Sequence, residues 1–317
     1  MMHEFPRGIL IHGGATSQLL GVALHLYFLE KSKFLEILYV QTKLAHTQGF
    51  LFGHAIQAKE IQVQGRIEKH LPRFMWSYEN LIRRVINELR RVTFFFVHPN
   101  RVSKEIDLSI EVNGQAEIVG TWDTRSGMIT GGISPAIIRI AAPQIKELFS
   151  KLTLSNPFDR LMDNPKSIAI HYRLGDMRSN PYWRKTHGVL DPSVILKELN
   201  KISESTTGHL TRIVYSDEPQ IAKLLLESVG LFDCEYANPS DIWSDIQRMS
   251  NSTFFIGSFS TVSMVVAEIR SFHNYLPSNL PINCRKHTLS HQTGSSDYFK
   301  ARILPLRHWV YKIPGSV

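Results

Sequence analysis

At 317 residues, 43% hydrophobic and 20% charged, the chain is long enough for two packed cores and too apolar to be disordered. Its net charge of +8 favours anionic partners, yet the positive residues occur only as short pairs such as Arg83-Arg84 and Arg90-Arg91, which argues against nucleic acid. Two cysteines, Cys234 and Cys284, without a C-x-x-C, exclude a disulfide framework. No apolar run reaches the ~20 residues of a membrane span, and Met1–Arg7 carries no basic segment leading into an apolar one. A cytoplasmic protein is expected, and the diffuse charge equally suits one peripheral to the membrane face.

Gly8–His12 reads as a strand running into Gly13-Gly14 and a helix over Leu19–Lys31, where Leu20, Leu24, Tyr27 and Phe28 share a side. A strand, a Gly-rich turn and a helix N-terminus make a ready anion or sugar site, or simply a tight connection. Gly13, Gly14 and Gln18 are therefore candidate cleft residues. Phe34–Val40 reads as a second strand, and Phe50–Phe52 as residues packed on a neighbour. Leu81, Ile82, Val85, Ile86 and Leu89 predict an amphipathic helix over Tyr78–Arg91, followed by an apolar strand, Val92–Val97. Asn113-Gly114 between Leu108–Val112 and Ala116–Val119 predicts a hairpin. Gly120–Gly132, with Trp122, Asp123 and Arg125, reads as a cleft lining or a surface loop. Helix follows from Pro135 through Leu152, and a domain boundary is expected between residues 153 and 165.

The second half alternates cleanly. Ser167–Ile170 is a short apolar strand after Asn164-Pro165, and it delivers His171, Arg173, Gly175 and Asp176 at its C-terminal end. After a polar loop, Arg178–Gly188, Asp191-Pro192 caps a helix to about Lys201. Arg212–Tyr215 is a strand ending in Ser216-Asp217. Gln220–Val229 is a helix stopped by Gly230. Ser240–Met249 is a helix, Thr253–Ile256 a strand ending at Gly257-Ser258, and Ser260–Arg270 a helix. This predicts an α/β fold with a parallel sheet whose strand tips lie along one edge.

Three tips thus carry polar clusters: His171/Arg173/Asp176, Ser216/Asp217 and Gly257/Ser258/Ser260/Thr261. Ligands of open α/β sheets bind outside the carboxyl ends of the strands. Arg173 offers a fixed fork of donors to a phosphate. Ser260 and Thr261 open a helix, where unpaired N–H groups and the dipole favour an anion. Asp217 suits a base edge or a ribose.

The runs H-Y-R-L-G-D-M, V-Y-S-D-E and D-I-W-S-D-I-Q-R-M-S-N-S-T-F-F-I-G-S-F-S-T resemble, in order, the three donor-site motifs of the α-1,2-fucosyltransferase family. More distantly, they resemble those of the α-1,6- and protein O-fucosyltransferases. The opening G-G-A-T-S-Q-L-L-G is similar to that family's G-G-L-G-N-Q. The third run departs from the family's S-S-F-S-W-W by lacking both tryptophans, and Ala15-Thr16-Ser17 replaces Leu-Gly-Asn. The resemblance implies a GT-B fold of two doubly wound domains facing a cleft, with residues 1–155 on the acceptor side and 156–317 holding the donor. It also implies metal-independent inverting transfer from GDP-fucose to a glycan hydroxyl. By that resemblance Arg173 meets the diphosphate, His171 lies by the nucleotide, Asp217 belongs near the base, and Ser258, Ser260 and Thr261 near the phosphates.

No D-x-D pair occurs to hold a diphosphate through a metal, so no cofactor is expected beyond a GDP-sugar donor and a glycan acceptor. Inverting transfer needs a general base. Asp176 is the first candidate, unless it merely caps its own turn, and Asp123 the second. A non-catalytic nucleotide- or glycan-binding module would share the same tips. A metal-dependent hydrolase would use His171, Asp176 and Asp217. The aromatic, basic tail Tyr298–Trp309 either packs back across the domains or faces a membrane.

Overall fold

A computed structural model describes residues 5–11, 14–41, 49–62, 105–112, 114–124, 127–131, 133–161, 166–179, 189–206, 208–238, 241–258 and 260–272. The expected helix Tyr78–Arg91, the strand Val92–Val97, Gly13, the loop 180–188 and the tail Tyr298–Trp309 lie outside the described residues. The chain divides into two units, Met1–Ile133 and Ser134–Val317.

In the first unit β1 (Gly8–Ile11), β2 (Glu36–Gln41) and β3 (Lys59–Gln62) pair in parallel. Among the described residues, β4 (Glu105–Val112), β5 (Gln115–Asp123) and β6 (Met128–Gly131) extend this to a six-stranded sheet of order β3-β2-β1-β6-β5-β4. β4 and β5 form the predicted hairpin, and Gly114 turns it at φ +77°, a backbone state that costs other residues energy. Of the stretch expected to line a cleft or loop out, Gly120–Gly132, residues 120–123 and 128–131 instead enter the sheet, and Arg125 lies outside the described residues. Its first residues finish β5, and β6 pairs with both β5 and β1. Trp122 is buried there, and a register shift at Thr121/Trp122 absorbs the irregular spacing that disguises the strand.

Helix α1 (Ala15–Glu30) begins four residues before the expected Leu19 and packs on β1 and β2 through Leu19, Val22, Ala23, Leu24 and Phe28. Phe52 is fully buried, and Phe50 stacks near Tyr39 with centroids 5.5 Å apart, as the aromatic spacing predicts.

The second unit opens with α2 (Ile137–Ile140) and α3 (Ala142–Leu152). Both helices belong to this unit, which begins at Ser134. Phe149 is fully buried and meets Trp243 edge-on at 5.1 Å, while Arg139 pairs with the buried Glu268 at 3.3 Å.

The sheet of this unit holds β7 (Ser167–His171), β8 (Thr211–Tyr215), β9 (Cys234–Tyr236) and β10 (Phe254–Gly257), all parallel, in the order β10-β7-β8-β9. Between them run α4 (Gly175–Ser179), α5 (Pro192–Ser205), α6 (Pro219–Glu227) and α7 (Ile242–Asn251), and α8 (Thr261–Phe272) follows. The α/β class and the parallel sheet expected from the sequence are the ones observed. Every residue of β7 is buried, and Ile168, Ile170, Val214 and Ile256 form one core with Ile195 and Leu199 of α5 and Ala222 and Leu226 of α6. Asp191 and Asp241 cap α5 and α7 by accepting hydrogen bonds from Ser193 N and from Trp243 N and Ser244 N.

Candidate functional site

The order β10-β7-β8 sets the three polar tips side by side, with β7 in the middle. Gly257, His171 and Tyr215 stand in register across the three strands. Backbone bonds carry the alignment past the sheet: Ser258 N donates to His171 O at 3.0 Å, and Tyr172 N to Tyr215 O at 2.8 Å.

Arg173 leaves β7 held on both sides. Its N–H donates to Ser258 Oγ at 3.0 Å, which ties the β7 tip to the β10 tip. Its guanidinium Nη1 pairs with Asp217 Oδ2 at 3.1 Å, which ties the same tip to β8. Asp217 Oδ1 accepts from Leu174 N at 2.9 Å. The Arg173 and Asp217 side chains are each about a quarter exposed, so the pair is reachable from solvent. One step further, Arg178 on α4 donates from Nε and Nη2 to Glu218 at 3.0 and 3.3 Å.

His171 faces the other way. Its Nδ1 lies 2.7 Å from Ser263 Oγ and 3.4 Å from Ser260 Oγ, both on or beside α8. Its pKa is pushed down to about 4, first by burial and then by the Arg173 charge, with Asp217 opposing. The imidazole is therefore neutral at physiological pH, and Arg173 is the cation that this tip presents. Ser260 Oγ accepts from Ser263 N at 3.1 Å in the manner of an N-cap, ahead of Thr261, the first residue of α8. Ser258 and Ser260 are buried and Thr261 is half-buried.

The predicted residues of the second unit thus come together: His171, Arg173, Asp217, Ser258, Ser260 and Thr261 occupy adjoining tips. Asp176 falls in the first turn of α4 and Asp123 ends β5 in the first unit; neither side chain is among those described. Gly14 caps α1 with extended backbone. Gln18 is buried, and its amide is engaged by the 49–51 turn, donating to Gly49 O at 3.0 Å and accepting from Leu51 N at 2.9 Å.

Sequence reading missed Ser263, Glu218 and Arg178, which fix the tips, and Tyr215. Burial raises the Tyr215 phenol to about 12, with Asp245 adding to the rise and Arg248 opposing it. Ser263 had one signal, its place one helical turn after Ser260. Among the described residues, no group of three or more His, Cys, Asp or Glu side chains is arranged to hold a metal ion.

No family model and no curated protein matches the chain. Among solved structures it is similar to POFUT1 bound to GDP (13% identity, 84% of this chain and 95% of that one covered, TM-score 0.32). It is also similar to POFUT1 bound to GDP-fucose (13%, 84% and 95%, 0.33) and to the UDP-GlcNAc 2-epimerase of Neisseria meningitidis bound to UDP-GlcNAc (10%, 93% and 99%, 0.37). Superpositions this loose do not establish a common fold.

Proposed function

We propose that the protein is an inverting GT-B-type glycosyltransferase that moves a sugar, L-fucose from GDP-fucose, onto a glycan hydroxyl without a metal ion. One observation carries the reading. Arg173, braced by Asp217 and by Ser258, stands between two parallel tips, next to the serine-capped start of α8. A preorganised cation and a helix N-terminus together suit a diphosphate, and suit it most as charge grows on the leaving group. In this reading Arg173 takes the diphosphate, Ser258, Ser260 and Thr261 frame its oxygens, and neutral His171 lines the nucleotide side without adding charge. Asp176 is the first choice for the base that deprotonates the acceptor, and Asp123 the second. The choice of fucose and of a surface polysaccharide or oligosaccharide acceptor rests on the motif resemblance alone.

The geometry disfavours the hydrolase alternative. Both oxygens of Asp217 are engaged, by Arg173 and by Leu174, so one of that alternative's three ligands is already committed.

The test is turnover of GDP-fucose with a mixed glycan acceptor pool, in EDTA, followed by mass spectrometry. Transfer in EDTA, lost in Arg173→Ala and reduced on the order of 10²-fold or more in Asp176→Asn, is the expected result. Binding of GDP with no transfer to any acceptor and no donor hydrolysis would instead make the protein a nucleotide-binding module.

A further inference from the structure

We propose that Asp217 is a positioning residue for Arg173, acting on the ligand through the guanidinium and not by touching the nucleotide. The inference rests on the reading of the tips as a diphosphate site. One carboxylate holds two consecutive residues of the β7 tip: Oδ1 accepts from the Leu174 N–H and Oδ2 pairs with Nη1 of Arg173. Both oxygens are thus directed at the turn, which is the wrong posture for reading a base edge.

The sequence keeps room for this contact. A Cβ on residue 175 would collide with Asp217 Oδ2, so Gly175 is what lets the carboxylate approach. A second clamp repeats the device. Glu218, whose N–H donates to Ser216 Oγ at 3.2 Å, grips Arg178 bidentately, so residues 173–178 are tied at both ends to 217 and 218. A long flexible cation held this way loses its freedom on folding and not on binding, which is where preorganisation gains affinity.

The alternative predicts the opposite sign. A carboxylate that is only a neighbour of a phosphate site repels the ligand, so neutralising it should tighten binding. If Asp217 positions Arg173, Asp217→Asn should weaken GDP binding by roughly tenfold, the scale of one charged hydrogen bond. Adding it to Arg173→Ala should cost nothing further, because the two act as a unit. Glu218→Gln, which loosens Arg178 only, should have a smaller effect.

The experiment is calorimetric titration of GDP into wild type, Asp217→Asn, Arg173→Ala, the double variant and Glu218→Gln. It is paired with nitrogen-15 NMR of the arginine guanidinium groups, which needs no ligand. The expected result is weaker binding in Asp217→Asn, non-additivity with Arg173→Ala, and an Arg173 guanidinium that rotates slowly in wild type and rapidly in Asp217→Asn. Equal or tighter GDP binding by Asp217→Asn, additive losses, or an Arg173 signal indifferent to the substitution would overturn the proposal. Failure of wild type to bind GDP would sink the diphosphate reading alone, and the guanidinium spectra would still decide whether Asp217 holds Arg173.

Discussion

His171 makes the stability of the second unit depend on pH in a definite direction. Its folded pKa of about 4 lies below the ordinary 6.5. Between those values the unfolded chain takes up a proton that the folded one refuses, so stability is full above about pH 6.5 and falls as pH drops toward 4, by about 3 kcal/mol in all. Below that both forms are protonated and the loss levels off. His171→Gln should therefore flatten the slope of unfolding free energy across this window, read by denaturant titration at pH 7, 5.5 and 4. A slope unchanged by the substitution would mean that the imidazole is not held neutral. The same residue illustrates what a sequence can convey. His171 is legible as a strand-tip histidine, but its neutrality comes from burial and then from the Arg173 charge, and the burial depends on how the surrounding elements pack.

At the scale of elements, the strands read most easily were those with continuous apolar runs bounded by Gly, Pro or Asn. Thus β7, β8 and β10 came through nearly to the residue. Cys234–Tyr236 and Lys59–Gln62 carry no such run, and among the described residues both are outer strands of their sheets, where the apolar demand is lower. α1 was read as starting late because Thr16 and Gln18 look like solvent residues, yet both are buried. The Gln18 amide satisfies backbone groups of a turn more than thirty residues away. The Arg173–Asp217 pair was likewise out of reach, since it depends on β8 lying beside β7.

Another element-level feature is Arg270, fully buried on α8. It donates to Ser250 O at 3.1 Å, Ser252 O and Thr253 O at 3.1 Å, closing the C-terminal end of α7 just before β10 begins. Truncating it strands several buried carbonyls. Arg270→Ala should lose on the order of 3 kcal/mol, measured by chemical denaturation. A loss under 1 kcal/mol would show that water reaches those carbonyls.

At the scale of the whole molecule, two α/β units account for the length and the 43% hydrophobic content. No helix among the described residues is long and apolar enough to cross a membrane. Cys234 is an unpaired, half-buried thiol whose pKa burial raises to about 11, so it stays protonated and unreactive. Within the second unit the sequence does not disclose that Phe149 of α3 meets Trp243 of α7 edge-on, because that contact joins residues far apart in the chain.

The central claim is that Arg173 and its neighbours bind a nucleoside diphosphate. Its most direct test is a thermal-shift comparison of GDP, UDP, CMP and ADP in EDTA, on wild type and Arg173→Ala. A ligand at ~100 times its dissociation constant stabilises the folded state by about 2.7 kcal/mol, enough to move a melt by several degrees. GDP should raise the melting temperature of wild type, UDP, CMP and ADP should raise it less, and Arg173→Ala should abolish the shift. A melt indifferent to all four nucleotides, or an equal GDP shift in Arg173→Ala, would contradict it.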